Sequence, residues 1–390
     1  MKKILVFLVA ILILNTTFYT YAENSFPLHS DVIAIKENVF IDLKSRSACL
    51  MEPESGEIIY ELNADEHLEP ASVTKIMSVL LIYEALSEGK ITKSDVITAS
   101  ETASNMGGSQ IWLEPGEQMS IDEMLKAILV VSANDCTVAM AEHLCGSEGA
   151  FVNLMNEKAK ELKMTNTNFV NCTGLPVENH YTSAKDIAIM TRELIKYDDV
   201  FNYTLIWMDS LRNGEFGLSN TNKLIRFYPG ANGLKTGFTD SAGYCISATA
   251  ERDGMKLISV VMKAPTSDER FSDAKKLLDY GYANFSVYKM SEDVTKTVKV
   301  VGGKEDEVKI SYNTYSLLLP KGRERLVETV NNIPDKISAP VKEGDVIGNI
   351  TYSLDGENIA TIDVYAVNGI ERMGFLDVFK KLMSYVTMKR

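Results

Sequence analysis

The 390-residue chain carries 40 Lys and Arg against 53 Asp and Glu, a formal charge of −13, and 45% of its residues are apolar. That length favours two domains over one, and the apolar fraction suffices for a packed core. An acidic balance without any basic run excludes a nucleic-acid binder, whose phosphate contacts need clustered cations.

The chain opens with Lys2 and Lys3, an unbroken apolar run from Ile4 to Leu14, and then Thr20-Tyr21-Ala22. A basic n-region, a short apolar h-region and small residues before the cut predict a secretory signal peptide over 1–22 and hence an exported protein. The run is too short to span a bilayer comfortably. Five cysteines follow: Cys49, Cys136, Cys145, Cys172 and Cys245. An odd number in an exported chain leaves at least one thiol free. None has the spacing of a metal site, and they read as small buried hydrophobes, with a Cys136–Cys145 disulfide left open.

Residues 31–290 mix strands and helices. Cys49–Met51 and Glu57–Leu62 flank a Pro-Glu-Ser-Gly turn and predict a hairpin. Tyr244–Ala250 and Met255–Met262 flank Glu-Arg-Asp-Gly and predict a second, because Asp-Gly suits a turn of positive φ. Between them, Ile76, Val79, Leu80, Tyr83 and Leu86 recur at helical spacing and stop before Gly89. Ser120 and Glu123 form a capping box ahead of Met124, Leu125, Ile128 and Leu129. Strands at both ends with helices between them predict an α+β domain, an antiparallel sheet packed on a helical cluster.

Over 291–372 the texture becomes all-β, with short alternating segments at Val294–Val301, Val308–Tyr312, Ser316–Leu319, Val346–Tyr352 and Asn358–Tyr365. Residues 373–390 place Phe375, Phe379, Leu382, Met383 and Val386 on one helical face beside Lys380, Lys381, Lys389 and Arg390. An apolar stripe with cationic flanks predicts a helix lying on a membrane surface; docking of the helix on the β domain would also bury the stripe.

Three short motifs carry chemistry. Ser72-Val73-Thr74-Lys75 opens the first helix, Ser132-Ala133-Asn134 follows the second, and Lys235-Thr236-Gly237 lies in a β segment before the second hairpin. Each alone is a weak signal; their order and context give them weight. A serine hydroxyl needs a base within hydrogen-bond reach. Three residues make nearly one helical turn, so Lys75 shares a face with Ser72. A desolvated lysine loses proton affinity and can serve as that base. Ser132 offers a hydroxyl relay to a leaving amine, and Asn134 can hold a substrate amide. Lys235 and Thr236 suit a carboxylate, Gly237 permits close backbone approach, and the N–H groups of Ser72 and Phe238 suit an oxyanion hole. Against a Ser-His-Asp hydrolase or a zinc enzyme, the chain has no Gly-x-Ser-x-Gly elbow and no His-Glu-x-x-His.

The triplet is the signature of penicillin-binding proteins and class A β-lactamases. The wider wording resembles the low-molecular-mass D-alanyl-D-alanine carboxypeptidases of the S11 peptidase family. It does so in Pro70–Met77, Ser132-Ala133-Asn134-Asp135, Asn171-Cys172-Thr173-Gly174-Leu175-Pro176, His180–Asp186 and Gly233–Gly237. The resemblance covers essentially the whole chain. It implies a β-lactamase/transpeptidase-like catalytic domain followed by a small all-β domain. The implied reaction removes the terminal D-alanine of peptidoglycan stem pentapeptides through an acyl-enzyme on Ser72, without cofactor or metal. β-Lactams would acylate the same serine.

By motif, Lys75 is the base, Ser132 the proton relay, and Asn134, Lys235 and Thr236 bind substrate. Arg270, in Asp268-Glu269-Arg270, resembles a family arginine near the terminal carboxylate. Phe238 departs from members that carry His after Lys-Thr-Gly. His180 lies in a family-like phrase and reads as structural. A β-lactamase is the nearest rival, but no Glu-x-x-Leu-Asn run falls between Ser132 and Lys235. Two further rivals are a D,D-endopeptidase acting on cross-linked peptidoglycan and a non-catalytic peptidoglycan-binding receptor.

Overall fold

In the computed structural model the described residues are 39–290, 297–313 and 316–387, so the expected signal peptide at 1–22 lies outside them. The first hairpin pairs β1 (Ser47–Met51) with β2 (Ile58–Leu62), and the chain returns to this sheet only with β3 (Ala231–Thr239), β4 (Gly243–Arg252) and β5 (Met255–Ala264). The strand order is β2-β1-β5-β4-β3, and every pair is antiparallel. Between β4 and β5, Asp253 and Gly254 both take positive φ, the turn geometry that Asp-Gly predicts.

Both faces of this sheet are covered, so its central strands are buried along continuous runs rather than alternately. The period of two still sorts side chains between two cores. Ala48 and Leu50 of β1 face the helix Ser267–Asn284, where Ala274, Leu277 and Leu278 meet Leu257 and Val261. Cys49 and Met51 face the opposite way, with Ile258, Val260 and Met262, into the larger helical core.

That core holds α1 (Lys75–Ser87), α2 (Ile121–Val130), α3 (Asn134–Cys145), α4 (Glu148–Glu161) and α5 (Ala184–Leu194), with Ser267–Asn284 as α6 on the other face. Helix α1 is buried on nearly every side, with Ile76, Met77, Val79, Leu80, Leu81 and Ile82 all in the core, so it is the helix around which the others pack. The capping box at α2 forms as its sequence predicts: Ser120 Oγ accepts from Glu123 N, and the Glu123 carboxylate accepts from Ser120 N. All five cysteines are free thiols, four of them buried.

The C-terminal part is all-β. Six strands order as Val327–Asn332, Val346–Leu354, Glu357–Ala366, Glu307–Ser311, Thr297–Val301 and Lys336–Ser338 around Val298, Val308, Ile350, Tyr352 and Val364. Two of these, Val327–Asn332 and Lys336–Ser338, have too little apolar alternation to be read from sequence. Phe285–Lys289, within the segment expected to belong to the first domain, pairs antiparallel with Ser316–Pro320. The last helix, α7, spans Phe375–Thr387. Among the described residues no helix is long and apolar enough to cross a membrane.

Candidate active site

The first motif departs from a simple helix start. Ala71–Thr74 is a 3₁₀ turn closed by Val73 N on Pro70 O at 3.2 Å, with Ala71 at positive φ, and the α-helix begins only at Lys75. Ser72 therefore stands on a tight turn at the mouth of α1, while Lys75 points into its buried root. The Lys75 ammonium donates to Ser72 Oγ at 3.1 Å and to the carbonyl of Thr173 at 2.8 Å. Burial pulls its pKa from 10.5 down to about 7, although Cys172 and Asp135 oppose the shift.

Thr173 was invisible in the sequence because a backbone carbonyl has no side-chain signature. The indirect signal is Gly174. At φ +86 its missing Cβ would sit 1.8 Å from Ala71 O, so only glycine lets the Asn171–Leu175 turn close onto the serine turn. Asn171 Oδ1 ties that turn by accepting from Thr173 N and Gly174 N at 3.2 and 2.7 Å. His180 braces it from behind. Its Nδ1 accepts from Val170 N at 3.1 Å, which leaves Nε2 to donate to Thr74 Oγ1 at 2.9 Å. Burial lowers its pKa to about 4, so it is a neutral structural bracket, as expected.

Ser132 takes positive φ between α2 and α3, and its Oγ is buried without a hydrogen-bond partner in the protein. Two residues on, Asn134 Nδ2 donates to Gly107 O at 2.6 Å and Asn134 N to Ser109 O at 2.7 Å, while Oδ1 is buried without a partner. The neighbouring Asp135 accepts from Ile111 N and Leu113 N at 3.0 and 3.1 Å. The 107–113 loop and the Ser132–Asp135 turn are thereby one rigid piece.

The third motif lies on β3, the outer strand of the sheet. A Cβ at Gly237 would meet Pro70 O at 2.8 Å and Ser72 N at 3.0 Å, so the strand backbone abuts the serine turn. Lys235 is fully buried, and its ammonium donates to Thr236 O at 3.0 Å. Burial, then repulsion from Lys75 and Arg270, drives its pKa well below the ordinary lysine value. Arg270, in the first turn of α6, is brought to the same strand: Nη1 donates to Gly237 O and Cys245 O at 3.2 and 3.3 Å. Burial lowers its pKa to about 10, and its buried Nε has no partner. Phe238 stacks its half-exposed ring on Tyr244 at 4.3 Å, and Tyr244 lies 5.4 Å from the Arg270 guanidinium.

The serine turn, Lys75, β3 and Arg270 are thus brought together, and the Ser132 turn is tied to the 107–113 loop. Three basic side chains are buried there, and polar atoms of Ser132, Asn134 and Arg270 are unpartnered. Such a site suits an anionic ligand with an amide to hold, and a hydroxyl nucleophile next to a lysine of lowered proton affinity suits acyl transfer.

Comparison with known proteins agrees with this geometry. A family profile for D-alanyl-D-alanine carboxypeptidase matches residues 33–266, and one for the penicillin-binding protein 5 C-terminal domain matches 282–372. D-alanyl-D-alanine carboxypeptidase DacF of Bacillus subtilis is 41% identical over 384 residues, covering 96% of this chain and 97% of that protein. Penicillin-binding protein 5 of Haemophilus influenzae superposes with a TM-score of 0.75 at 32% identity, over 86% of this chain and 99% of that one. Penicillin-binding protein D2 of Listeria monocytogenes, solved in its ampicillin-bound form, superposes with a TM-score of 0.58 at 32% identity, over 63% of this chain and all of that one. The chain belongs to the peptidase S11 family of D-alanyl-D-alanine carboxypeptidases, and its activity is that serine-type hydrolysis.

Proposed function

We propose that Ser72 attacks the bond between the two terminal D-alanines of a peptidoglycan stem pentapeptide. The observation that carries this reading is the 3.1 Å contact between Ser72 Oγ and a buried Lys75 whose pKa lies near 7. A neutral amine there takes the serine proton as the hydroxyl adds to the carbonyl carbon. The N–H groups of Ser72 and Phe238 hold the resulting oxyanion. The proton then passes through Ser132 to the nitrogen of the departing D-alanine, leaving an ester on Ser72 that water hydrolyses.

Asn134 holds the amide of the preceding residue through the face not bound to Gly107. Lys235, Thr236 and Arg270 receive the terminal carboxylate, which offsets the buried Lys235 and Arg270 charges at once. A β-lactam presents the same carboxylate and a strained amide to the same serine, in keeping with the ampicillin-bound relative. D-Alanine release from a pentapeptide ending in D-Ala-D-Ala, compared with Ser72→Ala, tests the reading. No release by folded wild type would overturn it.

The same proposal extends to place. The Lys2–Ala22 segment supports export, and α7 supports attachment to the outer face of the cytoplasmic membrane. Its Phe375, Phe379 and Leu382 expose 84%, 54% and 60% of their surface, and Lys380 is exposed beside them. The all-β part would then hold the cleft away from the bilayer, toward the wall.

A further inference from the structure

One polar residue at the cleft edge lies outside the three motifs. Thr221 sits in the Asn220-Thr221-Asn222 turn, which precedes the short helix Leu224–Phe227 ahead of β3, and its hydroxyl accepts a hydrogen bond from Thr236 Oγ1 at 2.7 Å. The two flanking asparagines are buried and clamp the turn. Asn220 Nδ2 donates to Thr204 O and Ile206 O at 3.0 and 2.7 Å, and Asn222 Nδ2 donates to Gly233 O at 2.8 Å. Thr221 N donates to Val130 O at 3.2 Å, two residues before Ser132. The turn is thereby fixed to both the Ser132 segment and the lysine-bearing strand, and its one exposed side chain between two buried ones is Thr221.

We propose that Thr221 is a positioning residue for this reaction, one that acts through Thr236 on the terminal carboxylate of the substrate. This rests on the reading that Thr236 receives that carboxylate. A threonine hydroxyl carries a single hydrogen and two lone pairs. Without substrate, the Thr236 hydrogen is spent on Thr221. When a carboxylate arrives, that hydrogen turns to the anion, and the Thr221 hydroxyl reverses and donates its own hydrogen to Thr236 Oγ1. The contact survives with its direction inverted, so Thr236 keeps one rotamer and donates to the charge with a second hydroxyl polarising it. Without the Thr221 hydroxyl, Thr236 loses that orientation while its own hydrogen remains.

The loss falls on binding of a group distant from the reacting carbon, so it enters KM more than kcat. Thr221→Val keeps the shape and removes the hydroxyl; Thr221→Ser restores it. With the D-Ala-D-Ala pentapeptide, Thr221→Val is expected to raise KM about fivefold to tenfold with kcat within about twofold, and Thr221→Ser to return KM to within about twofold of wild type. In a Thr236→Val background, Thr221→Val is expected to add less than about twofold, since its only route is gone. The second-order rate of acylation by benzylpenicillin, whose carboxylate takes the same place, should fall in parallel.

Unchanged KM and acylation in Thr221→Val overturn the inference. So does an equal loss in the Thr236→Val background, or a serine variant as impaired as the valine. Wild type that acylates with penicillin but releases no D-alanine would instead sink the carboxypeptidase reading and leave the acylation comparison to decide Thr221.

Discussion

The sheet is treated in opposite ways on its two sides. Toward α6, Leu50, Ile246, Ala248, Leu257 and Val261 meet Ala274, Leu277 and Leu278 in an apolar layer. At its outer edge, β3 abuts the Ser72 turn, with Lys75, Lys235 and Arg270 buried and Ser132 Oγ and Asn134 Oδ1 unpaired. The first arrangement gains stability from each buried side chain. The second gives stability up, because buried cations and orphaned polar atoms are costly until a ligand answers them. Stability and function are thus separated by the thickness of one sheet, and substitutions on the two sides should separate in the same way.

Removing the proposed nucleophile is the largest break. Ser72→Ala should lower D-alanine release by more than about a thousandfold while melting no lower than wild type, since a half-exposed hydroxyl contributes little to folding. The mirror experiment is Leu277→Ala in α6. Deleting a fully buried leucine side chain should cost about 3 kcal/mol, roughly a hundredfold in the folding equilibrium, read by urea denaturation. Its kcat under native conditions should match wild type. If Leu277→Ala damaged kcat, or Ser72→Ala destabilised the fold, the two sides would not be separate.

How far each side was legible follows from the same physics. Local signals carried most of the fold: Asp253-Gly254 for a hairpin turn, the Ser120/Glu123 capping box for α2, and helical periodicity for α1. Strand order was not legible, because β1 pairs with β5 across some two hundred residues and no local pattern encodes a partner at that distance. The candidate site residues stood out because their side chains are chemically distinctive and their spacing is short. What escaped were backbone and bracing roles: the Thr173 carbonyl under Lys75, the Asp135 carboxylate that ties Ile111 and Leu113, and the 3₁₀ turn at Ser72. Each depends on how two distant segments close on one another. Arg270 was readable only through the resemblance, since nothing local in α6 tells that its guanidinium reaches Gly237 O.

The next break is in pH. In the proposed mechanism Lys75 is a base only when neutral, so kcat/KM should fall about tenfold per unit below its pKa near 7 and level off above it. The same burial has a second signature. Between about 7 and the unfolded value of 10.5, the folded chain holds Lys75 neutral while the unfolded chain binds a proton there, so this residue makes stability rise with pH over that window. Lys75→Met should abolish activity, flatten that part of the stability profile and leave the α6 side unaffected. A profile with the same slope in the variant would mean that Lys75 is not the group responsible.

The smallest effect tests whether the comparison reaches the far end of the molecule. Helix α7 joins the all-β part through Met373 N on Gly302 O at 2.8 Å and through an exposed Lys381–Asp306 ion pair, which adds little stability. The bonds that hold it lie on the all-β part rather than among the catalytic motifs. A mature chain ending at Met373 should therefore keep kcat/KM on a soluble pentapeptide within about twofold of the full mature chain. Only the full chain should sediment with anionic phospholipid vesicles, because the Phe375, Phe379 and Leu382 surface is gone from the other. Equal vesicle binding by both would dismiss the membrane reading of α7. A large fall in kcat/KM would couple the helix to the catalytic site.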